Sequence, residues 1–199
     1  MEQEERGKLF DGIMENPDLS AAQVAAILHN DLDMNLADVA QALYDSSRPN
    51  TDLPDIARAL HDPHGLNLDP GQVAQVMRNS DGLDMNLAET AQVFHDSHGL
   101  DMNAVDVARA LRDLEYPQYS DGEIATALRT GLNLPVGDVA KTMHDGLNLH
   151  PSEVAQALHE GLQLDRPAIA KALEAGLGLS PTLAQAAADS VPKSSDHER

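Results

Sequence analysis

Residues 82–111 read GLDMNLAETAQVFHDSHGLDMNAVDVARAL, a 17-residue unit, GLDMNLAETAQVFHDSH, followed by the opening of a second copy, GLDMNAVDVARAL. In each copy an Asn (Asn86, Asn103) stands four positions before a Thr-Ala or Val-Ala pair, an acid stands directly before the pair, and a large apolar residue (Phe94, Leu111) lies three beyond it. Apolar residues at that spacing share one face of a helix. Asn accepts hydrogen bonds from the free amides of a first helical turn, so it marks the start. Gly82 and Gly99 mark the stops. The stretch therefore encodes one short helix and one linker, twice over.

Working outward, the same register recurs along the chain. The first residue of the pair is Val24, Val39, Ile56, Val73, Thr90, Val107, Ile124, Val139, Val154 and Ile169, each followed by Ala, at intervals of 15, then five of 17, then three of 15 residues. A degenerate copy, GLGLSPTLAQAAADS, occupies 176–190, and Leu9, Phe10, Ile13 and Met14 have the spacing of an N-terminal capping helix. Self-similarity at a short fixed period is the signature of a stacked repeat architecture. The fold expected is all-α: a right-handed-type α-solenoid of about eleven single-helix repeats of 15 or 17 residues. Its expected parts are a capping helix over 1–17, one continuous solenoid over 18–188 and a flexible tail over 189–199. The 17-residue repeats fall mainly in 35–124 and the 15-residue repeats after 125, and the switch predicts a change of curvature near residue 130.

Helix starts are specified independently in almost every repeat. Ser20, Asn35, Asp52, Asp69, Asn86, Asn103, Ser120, Asp165 and Ser180 sit at the N-cap position. Three residues on, Gln23, Gln72, Glu89, Glu123 and Glu153 fit a reciprocal capping box, whereas Asp38, Asp55, Asp106 and Asp138 are too short and favour only the positive helix end. Pro70, Pro151 and Pro181 take the first helical position. Gly65, Gly82, Gly99, Gly131, Gly146, Gly161 and Gly176 are expected as left-handed helix caps. Helices of roughly ten residues are marginal alone and draw their stability from neighbours. Apolar linker pairs such as Leu66 with Leu68 and Leu147 with Leu149 are expected to tuck beneath the helices.

Composition limits what such an array can do. Aromatic residues make up only 3% of the chain and Cys is absent, so the core is built from Ala, Leu, Val and Met, and thiol chemistry is excluded. Thirteen Lys and Arg against 33 Asp and Glu give a net charge of -20, which disfavours direct contact with nucleic acid or anionic lipid. No apolar run approaches the roughly 18 residues of a membrane span, and the start MEQEERGKLF lacks a signal peptide's pattern, so a cytoplasmic protein is expected.

In a stacked array, residues at one register form a column, and chemistry is to be sought in columns. An acidic column, Asp38, Asp55, Glu89, Asp106, Glu123, Asp138 and Glu153, serves helix starts and could also receive a cationic partner. A second column, five positions after the anchor, holds His29, Tyr44, His61, Arg78, His95, Arg112, Arg129, His144, His159 and Glu174, where a positive charge suits the carbonyl end of a helix. The enlarged loops of the 17-residue repeats add His64 and His98, which with His61 and His95 form the best candidate metal ligands. No metal or other cofactor is assigned, because Tyr and Arg interrupt the histidines. A calcium loop fails at NSDGLDMN, where Met77 and Ala88 stand in place of ligands. Met77, Met85, Phe94 and Met102 are candidates for an adaptable apolar lining beside Arg78 and Arg112.

The segments HGLDMNAVDVARAL (98–111) and GLNLDPGQVAQVM (65–77) resemble the opening half of a TAL-effector DNA-binding repeat and the leading helix of mitochondrial transcription-termination-factor repeats. The resemblance spans one helix and its lead-in. Where the second half and its base-reading loop would follow, another copy of the first helix stands, so the likeness implies a shared way of starting helices and no DNA binding. The expected function is a non-catalytic binding protein that holds a basic protein or peptide, or a small-molecule ligand, in its groove or on its acidic face. Two other readings stay open. One is an acidic DNA mimic acting on a DNA-binding enzyme; the other is an enzyme with a groove active site, although no catalytic constellation stands out.

Overall fold

A computed structural model describes residues 3–46, 48, 51–114 and 118–192. Among them all regular structure is helical. In chain order the helices are α1 (Gln3–Met14), α2 (Ala21–Asn30), α3 (Leu36–Asp45), α4 (Leu53–His61), α5 (Pro70–Met77) and α6 (Leu87–His95), then α7 (Ala104–Arg112), α8 (Asp121–Gly131), α9 (Val136–Leu147), α10 (Pro151–Leu162), α11 (Arg166–Leu177) and α12 (Pro181–Asp189). The chain forms two compact units, Met1–Met102 and Asn103–Arg199. In the first, α2 packs on α3 and α4, α3 on α4 and α5, and α4 on α5 and α6. In the second, α8 packs on α9 and α10, and α9 on α10 and α11. Within each unit most helices thus meet their successor and the one after, so that alternate helices such as α2 and α4 or α8 and α10 lie side by side; α1 packs on α2.

The repeat register explains the core. The anchor residues from Val24 to Ile169, their Ala partners and the apolar residues four beyond each anchor are all buried. Thr90, the polar anchor, is fully buried too, and its hydroxyl is satisfied by donating to the Asn86 carbonyl at 2.9 Å. Alanine beside each anchor keeps the helix surface low enough for a neighbour to approach. A buried Leu such as Leu28 or Leu158 contributes about 1.5–3 kcal/mol by leaving water.

Every N-cap expected from the sequence is made: Ser20, Asn35, Asp52, Asp69, Asn86, Asn103, Ser120, Asp165 and Ser180 each accept a bond from the third residue of their helix. The boxes close where Gln or Glu is present, as in Ser20 with Gln23 and Asn86 with Glu89. Asp38 and Asp106 instead accept from the side-chain amides of Asn35 and Asn103, each at 2.6 Å. Two starts fall outside the expected set. Pro135 caps α9 without a side-chain bond, and His150 caps α10 through its Nδ1, which accepts from the Ser152 amide at 3.4 Å, while Glu153 takes the His150 amide at 2.7 Å.

The glycine stops require a correction. Gly65, Gly82, Gly99, Gly131, Gly146, Gly161 and Gly176 are not left-handed; the left-handed residue comes two positions later, at Asn67, Asp84, Asp101, Asn133, Asn148, Gln163 and Gly178, and at Asp33 in the first linker. What most of the glycines provide is room. A Cβ at Gly161 would overlap the Gly122 carbonyl of α8, and one at Gly176 the Gly137 carbonyl of α9. At Gly65 and Gly82 the nearest atoms would be the Ala22 and Ala37 carbonyl oxygens, at 2.9 and 3.1 Å. These glycines let a helix end or its loop rest directly on the backbone of the helix two positions earlier.

The linker pairs are half-buried or buried, as expected, with Leu147 and Leu149 inside and the residue between them exposed. Of the tail, residues 193–199 lie outside the described residues. Its beginning is docked: Val191 is buried and its carbonyl accepts from Arg166.

Candidate functional site

The histidine column has a specific geometry. Nδ1 of His29, His144 and His159 lies 2.8–2.9 Å from the carbonyl oxygen five residues later, at Met34, Leu149 and Leu164. In the longer repeats His61 and His95 reach the carbonyls of Leu68 and Met102 seven residues later, both at 2.7 Å. In every case the carbonyl belongs to the residue just before an N-cap. A carbonyl cannot donate, so Nδ1 carries the proton and the neutral ring keeps its lone pair on Nε2. The two extra residues of the 17-residue repeat are absorbed between histidine and carbonyl. Arg129 makes the same bond to Leu134 at 3.0 Å.

In the long repeats the clamp is double. The amide of Leu68, Met85 or Met102 donates to the carbonyl of Leu60, Met77 or Phe94 at 2.9–3.1 Å. At Leu68 and Met102, and at Met34 in the first, shorter linker, where the amide donates to Leu28 at 3.1 Å, backbone and side chain thus hold the last linker residue just before the next N-cap. Arg112 differs, spanning the Leu147 carbonyl at 3.4 Å and the Asp121 carboxylate. Arg78 is half-buried at the end of α5.

The remaining sequence-predicted residues do not converge on one site. His64 and His98 are exposed, each beside the aspartate of its own loop, Asp62 at 3.3 Å and Asp96 at 3.4 Å. Among the described residues no three His, Asp or Glu side chains are grouped to hold a metal ion. Met77, Phe94 and Met85 are buried in the core and Met102 is half-buried. Nine of the ten candidates lie in the first unit and Arg112 in the second.

A groove that the sequence did not disclose lies in the first unit, with a volume of about 930 Å³, between α1, the start of α2, the end of α3 and one face of α4. Phe10, Met14 and Leu19 form a half-exposed apolar floor, and Ala22, Ala42 and Ala59 line its walls. Glu15, Asp45, Asp55 and Asp62 bring carboxylates to it. Its two arginines are engaged. Arg48 donates to the carbonyls of Met14 at 2.7 Å, Asn16 at 3.0 Å and Leu19, fastening the α1–α2 turn, and Arg58 pairs with Asp55 at 2.5 Å. Burial raises the Asp55 carboxyl above its ordinary value, with further raising from the hydrogen bond and charge of Asp52, against the lowering effect of Arg58 and His98. None of the ten residues singled out from the sequence lines this groove. The available clue was the irregular linker DSSRPNTD (45–52), which has neither the glycine nor the apolar pair and carries Arg48.

A smaller hollow of about 480 Å³ in the second unit is lined by Ser120, Asp121, Ser152, Glu153, Gln156 and Glu160 among others. Its polar groups are largely committed to capping: Glu153 to the His150 amide, Ser120 to the start of α8. No known protein family, curated protein or solved structure matches the chain.

Proposed function

We propose that the protein is a non-catalytic binding module, a right-handed-type solenoid of short helical repeats that holds a partner protein, peptide or small ligand in the groove between α1 and α4. The observation that carries this reading is the groove itself. Its volume of about 930 Å³ falls within the range of about 300–1,000 Å³ common to ligand sites. Its apolar floor is accessible, unlike the methionines and Phe94 of the core. Elsewhere the polar columns are occupied in capping helices and clamping linkers, which leaves little that could perform chemistry. Packing of α2, α3 and α4 in the first unit, and of α8, α9 and α10 in the second, each on its two successors, supports the solenoid reading.

The test is site-specific photocrosslinking in the source cell, with a photoreactive residue at Ala42 on the groove wall and, as control, at Gln185 on the exposed side of α12. A discrete adduct from position 42 that is missing from position 185 is expected. Equal labelling from both positions, or none from 42, would sink the proposal.

A further inference from the structure

We infer that the occupant of the α1–α4 groove is a basic peptide segment, with Lys or Arg side chains received at the rim and an apolar side chain seated on the floor. The inference rests on the binding reading above and specifies its ligand. Three observations support it.

The first is the polarity of the helix ends. Met14 ends α1, Asp45 ends α3 and Asp62 caps the end of α4, and all three border the groove; the end of α1 is already filled by Arg48, which leaves those of α3 and α4. Helix carboxyl ends carry partial negative charge and outward carbonyls, and both favour a cation. One helix start, that of α2, also opens here, but the Ser20–Gln23 capping box occupies its cap groups.

The second is the charge left over. Arg58 offsets Asp55, and Arg48, bonded only to neutral carbonyls, keeps its positive charge, so the four lining carboxylates outnumber the two guanidiniums by two. Among the described residues no cationic side chain is paired with the exposed Glu15 or Asp45, and Asp62 has only the imidazole of His64. The rim carries an excess of negative charge above a half-exposed floor of Phe10, Met14 and Leu19.

The third is Arg48 itself. Its guanidinium, held by the carbonyls of Met14, Asn16 and Leu19, shows the mode in which this cleft takes such a group: planar donors directed at backbone oxygens released by a helix end. An incoming Arg or Lys would meet the corresponding helix-end groups of α3 and α4, which also border the groove. Anionic ligands are disfavoured by the same charges.

The experiment is selection of a random-peptide phage library on the full-length protein, followed by affinity measurement on the enriched peptides as synthetic molecules. Enriched sequences are expected to be net positive with at least one large apolar residue, and their binding to weaken as salt rises. Affinity should fall about tenfold or more in the Glu15→Lys/Asp45→Lys double variant and stay unchanged in a Glu160→Lys control. Glu15 and Asp45 are exposed, so the double variant should keep its helical circular dichroism, and Ala42→Arg provides an independent steric block of the same groove. Neutral or acidic peptides that are lost in Ala42→Arg yet indifferent to Glu15→Lys/Asp45→Lys would overturn the basic occupant while leaving the groove reading intact. A selection that yields no binder sensitive to Ala42→Arg would overturn both.

Discussion

A histidine in the last turn of a short helix satisfies two demands at once, and this determines what its removal should do. In the 17-residue repeats His61 and His95 each hold a linker carbonyl through Nδ1 at 2.7 Å. His95→Ala should cost about 1 kcal/mol, the usual net worth of such a bond, whereas His95→Arg should recover part of it because Arg129 makes the analogous bond. Thermal unfolding measures the cost, and long-range ¹⁵N spectra should show the Nδ1–H tautomer at His95; the opposite tautomer would rule the clamp out. Carboxylates in the two units should respond to pH with opposite signs. Asp55 is raised from 3.8 chiefly by burial, so the folded state binds its proton more tightly than the unfolded state. Its contribution is present below pH 3.8 and is lost as pH rises through the folded value. Asp145 is lowered from 3.8 chiefly by its hydrogen bond from Lys141, so its contribution is present above 3.8 and is lost as pH falls through the folded value. Asp55→Asn should therefore remove a decline in stability with rising pH, and Asp145→Asn a decline with falling pH. Melting curves of both variants across the acid range check the two signs, and parallel profiles for wild type and variants would refute them.

At the scale of the element, helix starts were readable because an N-cap is a local device: Asn86 and Glu89 find each other within one turn whatever the rest of the chain does. Helix ends were misread because their glycines answer to a distant partner. Gly161 and Gly176 sit inside helices α10 and α11 with ordinary negative φ, and only the packed array shows that the backbones of α8 and α9 lie against them. The distinction is testable. Gly161→Ala should destabilise by about 2 kcal/mol or more, since its obstacle is backbone rather than a movable side chain. Gly12→Ala, on α1 with nothing within 4 Å of the added methyl, should stabilise by about 0.5–1 kcal/mol. Denaturant unfolding of the two variants should move in opposite directions. The left-handed position two residues later behaves in the reverse sense. Gln163 holds φ of 53° there, where other repeats use Asn, Asp or Gly, so Gln163→Gly should relieve strain and stabilise by roughly 0.5–1 kcal/mol. A loss of stability on that substitution would show that its side chain earns its place by contacts instead.

At the scale of the whole molecule, the core was legible and the groove was not, for one physical reason. The core repeats, so ten copies of the same anchor, alanine and large apolar residue each report the same burial. The groove arises where the repeat is broken, at the turn after α1 and the irregular linker after α3, and depends on Arg48 reaching back some thirty residues to Met14 and Asn16. No periodicity marks such a contact. The same dependence on near neighbours sets how damage should spread. When each element packs only on its successor and the next, stability is a sum of local terms and a lesion is felt locally. Gly161→Ala strikes the α8–α10 contact, so amide exchange should accelerate first in α8 and α10 and next in α7, α9, α11 and α12, which pack on them. Helices α2 to α4, which line the groove or brace its walls, should keep their protection, and binding at the groove should be unchanged. Hydrogen exchange read by mass spectrometry on the full chain resolves these segments. Uniform loss of protection from α2 to α12 would mean that the chain unfolds as a single cooperative body, and the nearest-neighbour account of its stability would then be wrong.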